Sequence, residues 1–428
     1  MTVSYSDGFG THSVHTGSAP SLETGAVIPP ISLATTYEQS AVGVHKGYEY
    51  TRSGNPNRDQ LEALLVGIEK GGQFALAFAS GSSTTATVLQ SLGPDAHVLS
   101  VNDVYGGTFR YMTKVSNLET SFIDLEKEDD ETIYAAIKSN TKLIWIESPT
   151  NPTLRLIAIP RIVAIARSHP SRPLVLVDST FLSPYYQSPL LTGADLVMHS
   201  LSKYINGHSD VLMGALILPE RHTELAQRLR FLQNAIGAVP SAFDCWLAQR
   251  GAKTLYLRMR QHGQSALRIA RFLESRIGNE VKDVIYPGLA SHPLNNVAYE
   301  SLSPHARAWV DSIGDRDLAG GFPYAENFLK SLRLFTLAES LGGVESLAEL
   351  PSLMTHNSIP TAERAQLGIG DDLVRLSVGV EDGDDLVRDI EQALQVAVYG
   401  DSVETKTDGR DEQVYSSASR DDSPPLVG

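Results

Sequence analysis

Short apolar runs alternate with segments of helical periodicity along the first half of the chain. The apolar runs cover residues 74–78, 98–101, 143–146, 174–177 and 196–198. The helical patterns between them cover residues 83–92, 132–137 and 160–167. This alternation is typical of a parallel sheet with helices packed against its faces, so we predict an α/β fold built on a large, mostly parallel sheet.

The segments on either side of this sheet follow other patterns. Residues 1–57 are rich in Gly, Ser, Thr and Pro, and we expect an extended N-terminal arm that contacts a neighbouring subunit. An amphipathic helix begins near Arg58 and opens a large domain over residues 58–250. Strong helical periodicity over residues 222–276 includes a connecting helix, which we place at 251–279.

A smaller C-terminal α/β domain is predicted for residues 280–399. Its strand-like patterns occur at residues 284–286, 334–336 and 374–378. A final helix is expected at 385–398. Residues 400–428 are rich in Ser and Asp, and we expect this acidic tail to be disordered.

The composition narrows the function classes. The chain has 428 residues and a formal net charge of −15, which disfavours nucleic acid and anionic membrane surfaces as partners. Cys245 is the only cysteine, so neither an internal disulfide nor a cysteine-based metal cluster can form, and we predict no metal site. No apolar run approaches the length of a membrane span, and residues 1–17 lack the apolar core of a signal peptide. We therefore expect a cytoplasmic protein.

Polar residues suited to chemistry follow the apolar runs. Ser80, Gly81 and Ser82 open a helix, where free backbone N–H groups bind phosphate, although ordinary helix capping explains the same residues. Asp178 closes the run at 174–177. A carboxylate in that position suits a cation or a protonated ring nitrogen, or it caps the next helix.

Two further run ends carry candidate groups. Glu147 and Asn151 stand in a turn that two prolines make rigid, which is also consistent with a simple β-to-α loop. Ser200, Ser202 and Lys203 follow the run at 196–198. Burial of an ammonium without a partner is costly, so Lys203 has either a compensated charge or a chemical use such as a Schiff base. A lysine that extends from the strand end into water explains this segment equally well.

These run ends meet at one edge of the predicted sheet, because ligands in such sheets bind at the carboxyl ends of the strands. A phosphate cradle, a carboxylate, two hydroxyls and a lysine suit a cofactor that has a phosphate, a pyridine nitrogen and an aldehyde. Pyridoxal 5'-phosphate is such a molecule. We therefore predict this cofactor, with its aldehyde on Lys203 and its ring nitrogen on Asp178.

Seven segments also carry a resemblance to a known family. They are residues 48–58 (YEYTRSGNPNR), 80–82 (SGS), 104–108 (VYGGT), 147–152 (ESPTNP), 178–181 (DSTF), 200–204 (SLSKY) and 337–343 (LAESLGG). Over about residues 10–398 the chain resembles the Cys/Met-metabolism pyridoxal-phosphate enzymes. The resemblance implies the aspartate-aminotransferase-like fold, which is fold type I of the pyridoxal-phosphate transferases.

The resemblance also implies roles for single residues. Lys203 forms the aldimine with the cofactor and moves protons at Cα and Cβ, Tyr105 stacks on the ring and assists proton transfer to the leaving group, and Asp178 pairs with the pyridine nitrogen. The groups implied to bind the phosphate are the backbone N–H of Gly81 and Ser82, the hydroxyls of Ser200 and Ser202, and Tyr50 and Arg52 of the neighbouring subunit. Shared sites of this kind imply a homotetramer of paired dimers.

An amino acid is the implied substrate. Its α-carboxylate binds Arg375 and Asn151, as suits a bidentate guanidinium, and Ser340 lies in the turn next to it. Glu339 fits enzymes that act at Cγ, where an acidic side chain meets the distal amine of cystathionine.

Within the family, three features favour γ-elimination, as in the eukaryotic cystathionine γ-lyases. Residues 231–241 (FLQNAIGAVPS) are similar to a block of those enzymes, Glu339 suits their substrate, and Gly107 stands where methionine γ-lyases usually have a cysteine. A γ-replacement enzyme, either a cystathionine γ-synthase or a synthase that joins an O-acylhomoserine to a thiol or carbon nucleophile, needs the same central residues and is the alternative.

The chain departs from the family pattern in three places. Ser179 and Ala242 replace the usual asparagine and proline of their motifs. Between residues 292 and 335 a family strand is not recognisable; we expect residues 308–313 to replace it, with an insertion at 320–323.

Two other function classes are weaker. A Ser-x-x-Lys acyltransferase would also need Ser-Asp-Asn and Lys-Thr-Gly motifs, which this chain lacks. A non-catalytic scaffold would not be expected to keep every cofactor contact.

Overall fold

The computed structural model describes residue 4 and residues 6–313, 325–357 and 359–399. The strands are β1 (Gln39–Ala41), β2 (Val44–His45), β3 (Phe74–Phe78), β4 (His97–Val101), β5 (Glu119–Ile123), β6 (Thr141–Glu147), β7 (Leu174–Asp178), β8 (Leu196–Ser200), β9 (Gly214–Leu218), β10 (Thr336–Leu337), β11 (Leu347–Glu349) and β12 (Arg375–Ser377). The helices are α1 (Phe9–His15), α2 (Pro56–Ile68), α3 (Gly81–Ser91), α4 (Gly106–Lys114), α5 (Asp130–Ala136), α6 (Ile159–Ser168), α7 (Ser183–Tyr186), α8 (Thr223–Ile236), α9 (Ala242–Ala252), α10 (Leu255–Glu274), α11 (Asn295–Ser301), α12 (Pro304–Ile313), α13 (Ala325–Ser331), α14 (Thr361–Leu367) and α15 (Gly383–Tyr399).

Seven strands form the central sheet, in the order β3-β9-β8-β7-β6-β4-β5. Strand β9 runs antiparallel to β3 and β8, whereas the other neighbours pair in parallel. The prediction of a large, mostly parallel sheet is confirmed, and all five predicted strands occur in it. Two strands of this sheet were not predicted: β5, whose residues ETSFI form no apolar run, and β9, which follows β8 without an intervening helix.

The two faces of this sheet carry separate apolar cores. One core packs the sheet against helices α3 to α6 and α8, with Trp145 fully buried in it. The other core packs the opposite face against α2, α9, α10 and α12. Because successive strand residues point to opposite faces, a sheet covered on both sides needs uninterrupted apolar strands. This is why the predicted strands were legible as apolar runs.

Helix α10 connects the large sheet to the smaller C-terminal part. Its first residues, including Leu255 and Met259, lie in a core of the large sheet, and residues such as Leu267 and Leu273 lie in the third core. That third core packs α10, α13 and α15 against a three-stranded sheet, β10-β11-β12. The domain boundaries proposed from the sequence stay predictions, and α10 is the element that joins two cores.

Several expectations for the C-terminal part are wrong. Residues 284–286 form no strand, and residues 308–313 belong to α12, where Ala306 and Val310 are buried one helical turn apart. The predicted strand at 334–336 begins only at Thr336. The predicted insertion at 320–323 and the tail at 400–428 lie outside the described residues.

The N-terminal arm packs against helices that cover one face of the large sheet. Phe9 of α1 makes an edge-on contact with Tyr185, and Trp246 Nε1 donates a hydrogen bond to the carbonyl of Pro29 over 2.9 Å. Val27 and Leu33, by contrast, are about three-quarters exposed, at 74% and 75%. Apolar side chains this exposed on one chain are candidates for contact with another.

Candidate active site

The carboxyl-terminal edge of the central sheet opens into a cavity of about 240 Å³. Eleven of the thirteen residues predicted for the site lie in its wall: Gly81, Ser82, Tyr105, Asn151, Asp178, Ser200, Ser202, Lys203, Glu339, Ser340 and Arg375. Residues from both sheets therefore converge here, as expected at the carboxyl ends of parallel strands.

Helix α3 presents its N-terminus to this cavity. The Ser80 hydroxyl accepts a hydrogen bond from the Ser83 amide, and the Ser83 hydroxyl accepts one from the Ser80 amide. The capping interpretation of this segment is thus correct. It leaves the amides of Gly81 and Ser82, which belong to the first turn and have no intrahelical partner, free to bind an anion.

The serines that follow β8 lie beside this helix end. A Cβ built on Gly81 would lie 3.7 Å from Ser200 Oγ, so the Ser200 hydroxyl is close to the start of α3. The Ser202 hydroxyl, however, exchanges hydrogen bonds with the backbone of Met213, accepting from its N–H at 2.9 Å. Ser202 thus braces the turn after β8, and Ser200 lies beside the N-terminus of α3.

Asp178 lies at the end of β7 with only one oxygen engaged. Its Oδ1 accepts hydrogen bonds from the amide and the hydroxyl of Thr180, at 3.0 and 2.5 Å. Among the described residues, none donates to Oδ2. Burial raises the pKa of Asp178, and the hydrogen bonds from Thr180 and the nearby His199 offset this effect only in part. A protonated ring nitrogen in the cavity would supply a cation beside the carboxylate.

Tyr105 is the N-cap residue of α4, and its position depends on Glu147. The Tyr105 amide donates to both carboxyl oxygens of Glu147, at 3.2 and 3.0 Å. Burial, and next the neighbouring Asp178, raise the pKa of Glu147 well above its usual range. A Cβ on Gly107 would run into the Tyr105 ring, so the glycine lets the phenol fold over the helix start.

Lys203 occupies the centre of the cavity wall. Burial, and next the charge of Arg375, lower the pKa of Lys203 to about 8. Its Nζ donates to the Ser340 hydroxyl over 2.5 Å. Ser340 has a φ of 102°, a backbone conformation that strongly favours glycine. A lysine with a pKa near 8 is in part a neutral amine at physiological pH, and hence a nucleophile and a base.

Arg375 is held in place on three sides. Its Nη1 contacts Asn151 Oδ1 at 2.8 Å and Glu349 Oε1 at 3.1 Å, and its Nη2 donates to the carbonyl of Ser340 over 2.7 Å. Its Nε is buried and has no partner among the described residues. An unpaired guanidinium N–H buried beside a cavity suits a carboxylate ligand.

Two predicted residues do not reach the cavity of their own chain. Tyr50 is 47% exposed on the arm, and the Arg52 guanidinium lies 5.9 Å from the centre of the Tyr50 ring. Neither residue lines the cavity.

The sequence analysis missed two residues that fix this geometry. Thr180 donates to Asp178 and accepts from the Ser200 amide, so it connects two strand ends; its position two residues after an aspartate is the signal for such a turn. Glu349 pairs with Arg375, and no local pattern distinguishes it from other glutamates.

The residues present fit pyridoxal phosphate. They include a free helix N-terminus for the phosphate, an unpartnered carboxyl oxygen for the ring nitrogen, and a lysine of lowered pKa for the aldehyde. In the parts of the chain that the structure describes, none of the helices has the length and apolar character needed to cross a membrane.

Comparisons with known proteins agree with this geometry. A family model of Cys/Met metabolism PLP-dependent enzymes matches residues 10–395. The cystathionine gamma-lyase of Saccharomyces cerevisiae is 50% identical over 403 residues, which are 93% of this chain and 100% of the relative.

Solved structures of related enzymes have the same fold. The crystal structure of cystathionine gamma-lyase from yeast superimposes with a TM-score of 0.84 at 48% identity, covering 92% of this chain and 100% of the other. Cystathionine gamma synthase from Xanthomonas oryzae pv. oryzae, in complex with cystathionine, gives a TM-score of 0.84 at 37% identity, covering 92% and 99%. The predicted fold type and cofactor are confirmed. The chain belongs to the Cys/Met-metabolism family of pyridoxal-phosphate-dependent enzymes.

Proposed function

We propose that this chain is a cystathionine γ-lyase, which converts cystathionine and water to cysteine, 2-oxobutanoate and ammonia. The observation that carries the proposal is that Lys203, with its lowered pKa, lines one cavity together with Asp178 and Arg375. Half of the sequence is shared with a γ-lyase over nearly the whole chain. Glu339 lines the same cavity and supplies an acidic group for the distal amine.

The cofactor would be held by groups already described. The amides of Gly81 and Ser82 and the Ser200 hydroxyl bind its phosphate, Asp178 Oδ2 accepts from its ring nitrogen, and Lys203 takes its aldehyde. When bound, pyridoxal phosphate supplies an electron-withdrawing ring that makes the Cα and Cβ hydrogens of the amino acid acidic.

Arg375 and Asn151 orient the substrate. The Arg375 guanidinium and the Asn151 amide line the cavity and supply N–H donors to the α-carboxylate. Glu349 on Nη1 holds the guanidinium in this position. The amino acid then lies with its Cα beside Lys203.

Two side chains move the protons. Lys203, with a pKa of about 8, removes a proton from Cα and then one from Cβ at near-neutral pH. Tyr105 lies at the open side of the cavity, 43% exposed, and delivers a proton to the departing sulfur at Cγ. The Glu147 carboxyl fixes the backbone of Tyr105 and therefore sets where the phenol stands.

The active form is proposed to be a cytoplasmic homotetramer with shared sites. Tyr50 and Arg52 are displaced from their own cavity and exposed on an arm, where they can complete the phosphate site of a neighbour. Exposed Phe231, Ile236 and Phe243 on α8 and α9 add apolar surface for such a contact. Light scattering of the purified protein tests the mass, and a monomeric active species would contradict it.

A γ-replacement enzyme is the second candidate. The γ-synthase structure superimposes as closely as the γ-lyase structure does. The sequence between residues 292 and 335 also has no recognisable family strand. Both activities need the same Lys203, Tyr105 and Asp178.

The deciding experiment supplies cystathionine to the cofactor-loaded protein and measures 2-oxobutanoate. A parallel reaction supplies an O-acylhomoserine with cysteine and measures cystathionine. Keto acid from cystathionine supports the γ-lyase, whereas cystathionine formation without keto acid supports the alternative. The Lys203→Ala variant is the control and should lose both the activity and the cofactor absorption band.

A further inference from the structure

Five residues form a closed ring of polar contacts around the carboxylate-binding side of the cavity. Arg375 Nη1 contacts both Asn151 Oδ1 and Glu349 Oε1. Glu349 Oε1 lies 2.8 Å from the Thr355 hydroxyl, and that hydroxyl lies 2.8 Å from His356 Nδ1. The other nitrogen of the same imidazole, His356 Nε2, lies 3.0 Å from the carbonyl oxygen of Asn151 and closes the ring. Residues in such a network restrain one another.

The direction of the hydrogen bond between His356 and Asn151 is fixed by chemistry. A carbonyl can only accept, so His356 donates from Nε2. Burial, and next the charge of Arg375, lower the pKa of His356 to about 4, so the imidazole is neutral at pH 7 and Nδ1 is an acceptor. The Thr355 hydroxyl has one proton for two acceptors, His356 Nδ1 and Glu349 Oε1. The bond from Nε2 to the Asn151 carbonyl has a donor of its own, and it is therefore the better-defined contact of His356.

His356 lies outside the cavity and connects two parts of its wall. The residue is 0% exposed and does not line the cavity, whereas Asn151 and Arg375 do. Asn151 follows β6 of the large sheet, and Arg375 begins β12 of the small sheet. His356 belongs to the turn at 351–357, after β11 of the small sheet. Its hydrogen bond to Asn151 therefore ties the turn after β6 to the part of the fold that carries Arg375.

We propose that His356 is a positioning residue for the substrate α-carboxylate: its Nε2–H holds Asn151 where Asn151 and Arg375 bind that group together. The proposal rests on the proposed assignment of these two residues to the α-carboxylate, and it does not depend on which reaction follows. His356 acts through Asn151 and contacts no reacting atom. Loss of the Nε2 donor should therefore weaken ligands that have an α-carboxylate and leave plain amines unaffected.

The test compares L-alanine with ethylamine, which is the same molecule without its carboxylate. Both are primary amines that react with the cofactor of the loaded protein, and the change of its absorption band during a titration gives the two dissociation constants. Neither probe has a leaving group at Cγ. The result is therefore independent of the choice between γ-elimination and γ-replacement.

Two substitutions separate the two nitrogens of His356. The amide of a glutamine reaches about as far as Nε2, so His356→Gln can still donate to the Asn151 carbonyl. Asparagine reaches only the position of Nδ1, so His356→Asn loses this donor and can still accept from Thr355. His356→Asn should bind L-alanine more weakly by roughly two- to twelvefold, the range for one neutral hydrogen bond, and should bind ethylamine as the wild type does. His356→Gln should lie nearer to the wild type.

His97→Asn is the matched control. His97 is also 0% exposed, and its two ring nitrogens lie 2.8 Å from the Thr141 hydroxyl and 3.0 Å from the Ser121 hydroxyl. It belongs to β4 and does not line the cavity, so its replacement should leave both dissociation constants unchanged. Circular dichroism verifies folding, and His356→Leu, which also removes the donor, replaces His356→Asn if that variant does not fold.

Three results would overturn the proposal: an equal loss of affinity for both probes, an unchanged affinity of His356→Asn for L-alanine, or a His356→Gln variant as weak as His356→Asn. Arg375→Leu tests the carboxylate site itself and should remove the preference for L-alanine over ethylamine. A preference that survives in Arg375→Leu would show that the carboxylate assignment is wrong, and the role of His356 would fail with it. A preference lost in Arg375→Leu and unchanged in His356→Asn would refute the role of His356 alone.

Discussion

The replacement Glu349→Gln tests whether Glu349 orients the substrate-binding arginine. Glu349 is 1% exposed, and its Oε1 accepts from Arg375 Nη1 at 3.1 Å and from the Thr355 hydroxyl at 2.8 Å. A glutamine oxygen can keep both hydrogen bonds but carries no charge. The variant therefore isolates the electrostatic part of the Arg375 contact.

The magnitude follows from these contacts. A net hydrogen bond to a charged group contributes about 1.5–3 kcal/mol, and a charge-assisted bond is roughly twice as strong as a neutral one. The variant should therefore lose about 0.75–1.5 kcal/mol of the interaction that holds Arg375 in place, which corresponds to a roughly three- to twelvefold lower kcat/KM. Glu349→Leu leaves the buried guanidinium without its carboxylate, which costs about 3–5 kcal/mol, and kcat/KM should fall more than about a hundredfold.

Initial rates of 2-oxobutanoate formation over a range of cystathionine concentrations give kcat and KM separately. The loss should appear mainly in KM, because Arg375 binds a part of the substrate that does not react. Glu345→Gln, at an exposed position three residues from Gly342, is the control and should behave as the wild type. An unchanged KM for Glu349→Gln would refute the reasoning, because the charge would then contribute nothing to substrate binding. A lower KM would also refute it, because Glu349 would then compete with the substrate carboxylate for Arg375.

Three further outcomes are expected. Asp178→Asn should weaken pyridoxal phosphate binding by roughly ten- to 150-fold in an absorbance titration, because a charged acceptor for the ring nitrogen is lost; unchanged affinity would contradict the assignment. The rate at which cofactor-free protein recovers its absorption band should rise with pH through about 8, because burial lowers the pKa of Lys203 and the neutral amine reacts. Arg375→Leu should move that midpoint upward, since the guanidinium charge also lowers this pKa; a lower midpoint would exclude the effect. Gly251→Ala would press a Cβ against the Asn206 carbonyl, so the free energy of unfolding should fall by about 1–3 kcal/mol and thermal inactivation should occur at a lower temperature. An unchanged inactivation temperature would show that α9 can shift.

The central sheet was legible in the sequence because it is covered on both faces. In a strand such as β6 the residues around the buried Trp145 must be apolar on both faces, and the polar residue that ends the run marks the sheet edge. Strand β5 was not predicted because an edge strand is only partly covered, and its first three residues, Glu, Thr and Ser, are polar. Residues 284–286 form an apolar run that was predicted to be a strand but is not one. Ile285 and Tyr286 of this run line a cavity instead.

The site was predictable where chemistry dictates residue type at a strand end. Asp178 and Lys203 are unusual next to apolar runs, so each could be singled out. Glu349 could not, because its importance comes from a contact with Arg375, which is distant in the sequence. Tyr50 and Arg52 were indicated by family resemblance alone, and one chain gives them no site to occupy.

The backbone of Ser340 shows a trade between stability and function. A serine at a φ of 102° is strained by roughly 1–3 kcal/mol relative to glycine, so Ser340→Gly should make the fold more stable. The Ser340 hydroxyl accepts a hydrogen bond from Lys203, and the Ser340 carbonyl accepts one from Arg375. The strained backbone conformation directs both groups toward these two side chains. A search for heat-resistant variants would therefore select glycine at this position, and the gain in stability would come with a lysine that has lost its hydrogen-bond partner.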